Sequence, residues 1–242
     1  MNKAQKFELT YLKKEKVSSD AYSFYFDRKK IKFNFLPGQY LKIFLDIEKT
    51  DDRGTSRYFT ISSSAADKDF IVITTRIVKS SFKLKLNNLN PGEKIRAFGP
   101  IGYFDFDIKD TREQIFLAGG IGMTPAHSII KFIDSKKEKS KILLIVSFKK
   151  ESDIIFYEDL KDIESRNKNI KIIYTLTMES NKNDRFEKGH ISENLIKKYS
   201  LDFKKAKYFI VGSELFEYSM FDLLKKMKIE EENIFKENFP GY

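Results

Sequence analysis

The stretch from Ile115 to Asp134 reads I-F-L-A-G-G-I-G-M-T-P-A-H-S-I-I-K-F-I-D. A short apolar run, Ile115 to Ala118, leads into Gly119, Gly120 and Gly122. Thr124 and Pro125 then open a segment with Ala126, Ile129, Ile130 and Ile133 at helical spacing. Threonine suits a helix N-cap, and proline suits the first helical position because its missing N–H has no partner there. The pattern predicts a buried strand turning sharply into a helix. Glycines let a ligand approach such a turn, and the free N–H groups of the helix end favour phosphate. The spacing Gly120-x-Gly122-x-x-Pro125 lacks the third glycine of the common dinucleotide fingerprint. Two readings therefore stand on this stretch: a dinucleotide cradle, or a glycine-rich turn that holds no ligand.

Two further stretches carry polar groups in a pattern worth singling out. Ser56-Arg57-Tyr58-Phe59-Thr60-Ile61-Ser62-Ser63-Ser64 is a strand pattern carrying a cation, two aromatic rings and a row of hydroxyls. Ser80-Ser81 precedes Phe82, Leu84, Leu86 and Leu89, which predicts a short helix with a hydroxyl cap and a second place for a phosphate group. Cysteine is absent, which removes disulfides, thiolate catalysis and Cys-held metal or iron–sulfur centres. With only His127 and His190 present, no metal site is expected and both histidines read as structural.

At 242 residues, 41% apolar and 33% charged, the chain reads as globular, with room for one large or two ordinary domains. No apolar run approaches the roughly 18 residues of a membrane span. The N-terminal segment lacks the apolar core of a signal peptide, so a cytoplasmic location is expected. Lysine spread along the chain supplies most of the net charge of +10 and reads as a solvated surface; a patch that steers an acidic partner is the functional alternative. No basic block is interleaved with stacking aromatics, so no nucleic-acid partner is expected.

The elements that must position these residues fall into two halves. Strands are predicted at Phe7 to Val17, Ala21 to Phe26, Gln39 to Leu45, Ser56 to Ser64, Asp69 to Val78 and Lys94 to Phe98, with turns at Pro37-Gly38 and Asn90-Pro91-Gly92. Six short strands suggest a small antiparallel barrel or sandwich. From Gln114 onward, strands at Ile115 to Ala118, Ile142 to Phe148, Ile170 to Leu176, Tyr208 to Gly212 and Ile234 to Asn238 alternate with helical patterns at 125–134, 153–165, 192–199 and 215–227. That is a doubly wound parallel α/β domain, whose ligands bind beyond the carboxyl ends of the strands. The expected division is 1–108 for the barrel and 109–242 for the α/β domain.

The ordered motifs resemble the ferredoxin–NADP⁺ reductase superfamily over essentially the whole chain. Arg57-Tyr58-Phe59-Thr60 matches its Arg-x-Tyr/Phe-Ser/Thr flavin motif. Pro37-Gly38-Gln39-Tyr40 fits its P-G-Q-aromatic turn, Ser80-Ser81-Phe82 its pyrophosphate-binding helix start, and Gly99-Pro100-Ile101-Gly102 the G-P-x-G that closes the barrel. Gly119 to Pro125 matches the nicotinamide-nucleotide motif, and Glu237-Asn238-Phe239 resembles the acidic–x–aromatic ending. The resemblance implies an N-terminal six-stranded antiparallel flavin barrel followed by an NAD(P)-binding domain, with FAD and NAD(P)H as cofactors. It implies flavin contacts from Arg57, Tyr58, Phe59, Thr60, Thr74, Ser80, Ser81 and Phe82, and coenzyme contacts from Gly120, Gly122, Thr124, Gly212 and Ser213. Thr60 and Glu237 are the expected catalytic residues, and Phe239 or Tyr242 would cover the flavin. Ser147, Lys149, Lys150 and Arg185 are candidates for the 2′-phosphate of NADP, with Glu151 arguing the other way.

Three departures qualify the match. Val211-Gly212-Ser213 stands where members usually have Cys-Gly-Pro, and Phe59 replaces the commoner tyrosine. No cysteine is present for a fused iron–sulfur centre, so electrons would leave to a separate carrier such as ferredoxin or flavodoxin. A flavin reductase and a non-catalytic, reductase-like subunit of an electron-transfer complex are the alternatives.

Overall fold

The computed structural model describes residues 3–102, 106–178 and 185–236. Six strands form the first sheet: β1 (Gln5–Lys16), β2 (Ala21–Asp27), β3 (Tyr40–Phe44), β4 (Ser56–Thr60), β5 (Phe70–Arg76) and β6 (Lys94–Ile101). Their spatial order is β4-β3-β6-β1-β2-β5, and every pairing is antiparallel. The sheet curls until its two edges meet. Ile61 bridges Ile73 of β5, and Ser62 N–H donates to Val72 O at 2.8 Å. The stretch expected as one strand from Ser56 to Ser64 is therefore two pieces: β4 ends at Thr60, and the residues after it form the barrel seam.

Helix α1 (Ser81–Asn87) plugs this barrel, burying Phe82 and Leu86 completely beside Phe59, Leu41 and Ile43. Burial of each such side chain is worth about 1.5–3 kcal/mol relative to exposure.

The second sheet holds β7 (Gln114–Gly119), β8 (Ile142–Phe148), β9 (Ile170–Leu176), β10 (Glu187–Lys188), β11 (Lys207–Val211) and β12 (Ile234–Lys236). The order is β10-β9-β8-β7-β11-β12, all parallel. Helices α2 (Thr124–Lys136) and α3 (Tyr157–Arg166) cover one face, while α4 (Glu193–Tyr199) and α5 (Glu214–Lys226) cover the other. A central strand packed on both faces needs apolar side chains in unbroken sequence, and Ile115 to Ala118 supply them, all fully buried. The chain winds outward from β7 through β8 and β9, then returns to β11 on the other side. The switch point of the sheet thus lies between the carboxyl ends of β7 and β11.

One local expectation needs correction, and one short strand has no signal in the sequence. Thr124 is not an N-cap: Gly120 to Met123 form a 3₁₀ turn that runs straight into α2, so Thr124 already has helical angles and Met123 precedes it. The two-residue strand β10 has no apolar periodicity of its own; its pairing with β9 alone defines it.

Candidate active site

Arg57 sits on β4 with 9% of its surface exposed. Its Nη1 donates to the carbonyls of Arg53 (2.7 Å), Gly54 (3.0 Å) and Ser56 (2.7 Å). Its Nη2 donates to Asp51 Oδ1 at 2.6 Å, and the guanidinium lies 5.3 Å from the Phe82 ring centroid. Nε is buried and has no hydrogen-bond partner among the described residues. A buried donor left over in this way costs free energy unless something else meets it. Half-buried Lys83 lies in the same positive field; burial first, then Arg53, Arg57 and Arg76, push its ammonium down to about 8. The corner is therefore short of negative charge, and its donor set suits phosphate oxygens.

The neighbouring residues divide by face. Phe59 packs into the barrel core, its ring 5.8 Å from that of Phe82, while half-buried Tyr58 meets Tyr40 edge-on and lies under Lys42. Buried Thr60 ends the strand at the seam. Thr74 has its hydroxyl engaged by the protein, bonded to Ser23 at 2.8 Å and Ser62 at 2.9 Å. Ser80 caps α1 by accepting from Lys83 N–H, and Ser81 Oγ accepts from Asp51 N–H.

The glycine turn is the second half of the site. It opens into a cavity of about 480 Å³ lined by Gly119 to Gly122, Gly212 and Ser213, at the switch point of the sheet. Gly120 has φ +53°, and among the described residues other than its chain neighbours only the Arg76 guanidinium comes within 4 Å of where its Cβ would stand. At Gly122 a Cβ would lie 2.8 Å from Gly212 Cα, so the two turns meet backbone to backbone. The Phe216 ring rests where side chains at Gly119 and Gly212 would stand, 2.9 and 2.6 Å from those positions.

Gly120, Gly122, Gly212 and Ser213 thus come together as expected, whereas Thr124 is buried in α2 and is not among the lining residues. Ser147 and Lys149 line the cavity, and Arg185 pairs with Glu151 at 3.2 Å. Arg76, Phe216 and Thr177 are lining residues that sequence reasoning missed; each is brought in by a neighbouring element and carries no local motif. His190 also lines the cavity and is exposed. Glu237, Phe239 and Tyr242 lie outside the described residues.

His127 braces the two halves. Its Nδ1 is 2.9 Å from Ser62 O, its Nε2 is 2.7 Å from Asp159 Oδ2, and its ring stacks on Phe156 at 3.7 Å. Ser128 Oγ donates to Ser63 O at 2.7 Å. Helix α2 therefore grips the seam that follows Thr60. Burial holds the imidazole below its ordinary value, against the pull of Asp159 and Ser62 O.

A cationic corner on a nearly closed antiparallel barrel, joined to a glycine turn at the switch point of a parallel sheet, is the architecture of flavin- and nucleotide-binding oxidoreductases. The model of the oxidoreductase FAD-binding domain matches residues 8–106, and that of the oxidoreductase NAD-binding domain matches residues 116–220. The chain belongs to the ferredoxin–NADP⁺ reductase family of FAD- and NAD-binding oxidoreductases.

NADH-cytochrome b5 reductase 2 of Mycosarcoma maydis is 32% identical over 131 residues, covering 52% of this chain and 37% of that protein. The reductase component of the glycine betaine monooxygenase of Pseudomonas aeruginosa is 28% identical over 144 residues, covering 59% of this chain and 38% of that protein. The chain thus spans less than half of the length of these two curated relatives. The FAD/NAD-binding domain of nitric oxide dioxygenase from Vibrio cholerae superposes with a TM-score of 0.83 at 17% identity, over 96% of this chain and 98% of that one. Ferredoxin-NADP+ reductase from Plasmodium falciparum gives 0.74 at 18% identity, over 96% and 95%. These structures attest the shared fold. Among the described residues no helix is long and apolar enough to cross a membrane.

Proposed function

We propose that the chain is an NAD(P)H-dependent flavoprotein reductase that hands electrons to a separate redox carrier such as ferredoxin or flavodoxin. The observation that carries this reading is Arg76. It ends a barrel strand, yet it lines the nucleotide cavity beside Gly120, and its charge bears on Lys83 at the flavin corner. One cation thus stands at the nucleotide cavity within electrostatic reach of the flavin corner, so two cofactors bound there would lie near one another, as a direct transfer requires. When bound, the flavin supplies the chemistry, accepting hydride from the reduced nicotinamide and releasing electrons onward.

The residues of the chain bind and orient. Arg57 and Lys83 hold the flavin phosphates, and Thr60 stands at the reactive edge. Gly120, Gly122, Gly212 and Ser213 admit the coenzyme. Alignment of the two halves supplies the rate, since no side chain need abstract a proton from carbon. The relatives' names include reductases acting with cytochrome b5 and with a glycine betaine monooxygenase, and a protein carrier in the cytoplasm is the acceptor proposed for this chain.

The test is the absorption spectrum of the purified protein before and after anaerobic NADH or NADPH. About one flavin per chain, bleached by reduced coenzyme, is expected; purified protein that neither retains nor responds to added FAD would refute the reading. The second reading, a flavin reductase that releases its flavin, is favoured by one observation. Asp51 already occupies the arginine that flavin phosphate would take.

A further inference from the structure

The loop between β3 and β4 folds back over the flavin corner. Asp51 enters it twice: its N–H donates to Ser81 Oγ at 3.0 Å, and its Oδ1 accepts from Arg57 Nη2 at 2.6 Å. Oδ1 also accepts from Arg53 N–H at 3.1 Å, and the loop closes with Gly54 N–H on Asp51 O at 3.0 Å. The second carboxylate oxygen, Oδ2, is buried with no hydrogen-bond partner among the described residues and lies 3.9 Å from Arg53 Nη2. Despite partial desolvation, which pulls the other way, Arg57 and Arg53 hold the Asp51 carboxyl below the ordinary carboxylate range.

Asp51 therefore sits between Arg53 and Arg57 as an anion with one oxygen unmet, while Arg57 keeps a buried N–H unmet beside it. A well-matched ion pair would leave neither. The mismatch leaves a donor edge, Nε and Nη2 of Arg57, that the carboxylate meets at one position only and that two oxygens of a phosphate group could meet together.

We propose that Asp51 is an internal competitor for the flavin phosphate: it occupies Arg57 until the cofactor displaces it, and so sets how tightly the chain retains flavin. The inference rests on the placement of flavin phosphate at Arg57. Three backbone carbonyls hold Arg57 Nη1, and none of these bonds is made by the Asp51 side chain, so the guanidinium keeps them when the carboxylate leaves. Displacement frees the carboxylate toward solvent, to which 24% of its side chain is already exposed. Left in place, it would face phosphate as a like charge, which opposes binding.

Asp51→Asn separates charge from architecture, because the amide oxygen can still accept from Arg53 N–H and Arg57. The probes are FAD, inorganic pyrophosphate and riboflavin, titrated calorimetrically into wild type, Asp51→Asn and Arg57→Ala. Asp51→Asn should bind FAD and pyrophosphate at least about tenfold more tightly than wild type, with riboflavin unchanged. Equal or weaker FAD binding by Asp51→Asn, while Arg57→Ala loses FAD, would overturn the competition and make Asp51 a mere anchor for the arginine. Tighter riboflavin binding to the same degree would overturn it too, since the effect would then be steric. Full retention of FAD by Arg57→Ala would instead remove the phosphate placement on which the inference stands.

Discussion

At the barrel corner Arg57 is engaged by three carbonyls and a carboxylate, whereas at the glycine turn, among the described residues outside the turn itself, only the Arg76 guanidinium comes within reach of Gly120. Both corners suit groups that carry phosphate, but at one the cation is already paired with a carboxylate and at the other the turn offers mainly backbone. Binding at the first must rearrange an existing ion pair. Binding at the second needs no rearrangement, because the close approach of Gly122 to Gly212 has already fixed the cavity. Retention of flavin is thus set by competition, and admission of coenzyme by shape.

Breaking the glycine corner should have the largest effect. A methyl group at Gly122 would stand 2.8 Å from Gly212 Cα and 2.9 Å from Val211 O, both backbone atoms that cannot swing away. Gly122→Val should destabilise the fold by about 1–3 kcal/mol and abolish coenzyme binding, seen as a lowered Tm and the loss of anaerobic flavin reduction. Normal reduction kinetics in that variant would show that the two turns can part. Breaking the barrel corner comes next. Arg57→Ala removes a charge-assisted bond worth about 1.5–3 kcal/mol, so flavin affinity should fall by roughly ten- to a hundredfold while coenzyme affinity holds. Undiminished flavin content after gel filtration would move the phosphate elsewhere.

Sequence made these two corners legible to different depths. The glycine turn could be read because its chemistry is local: an unbroken apolar strand, then glycines, then a helix. Arg57 could be read as a candidate phosphate partner, but not that Asp51 holds it, because that contact depends on how a polar loop folds back. Arg76 and Phe216 were invisible for a related reason. Each reaches the cavity from an element whose own pattern describes only its packing. The seam at Ile61 was read as continuing strand, since period-2 alternation does not register a change of pairing partner. Thr124 was misplaced because threonine before proline carries the same signal whether or not a 3₁₀ turn precedes it.

The coenzyme cavity can be sharpened through its cations. Lys149 lines it, Arg185 is neutralised by Glu151, and Lys150 is not among its lining residues. Lys149→Glu should weaken NADPH more than NADH, by a few-fold to about tenfold given the exposure of the site, while Lys150→Glu should change neither by more than about twofold. The comparison is of KM values for the two coenzymes, at low salt where surface charge is least screened. Equal losses for both coenzymes would show that Lys149 reads a phosphate common to them.

The smallest effect concerns the brace between the corners. His127 is buried against Ser62 O from the barrel, Asp159 from α3 and the Phe156 ring, with Lys131 of its own helix also on Asp159 at 3.1 Å. Both ring nitrogens face acceptors, so a second proton would satisfy both, but burial opposes the charge and lowers the folded pKa from 6.5. A histidine with a depressed folded pKa binds fewer protons folded than unfolded. Its contribution is complete above the unfolded value and is lost as pH falls below about 6.5 toward the folded value. Asp159, held low by His127 and Lys131 despite its burial, loses its own contribution only in stronger acid, below the ordinary aspartate range. Between pH 7.5 and 5.5 the wild-type Tm should therefore decline, and His127→Gln should flatten that slope while costing about 1 kcal/mol at pH 7.5 for the bond it gives up. A wild-type Tm that rises on acidification would mean that the two acceptors outweigh burial. The brace would then be an imidazolium, tightening α2 on the seam beside Thr60 as the pH falls.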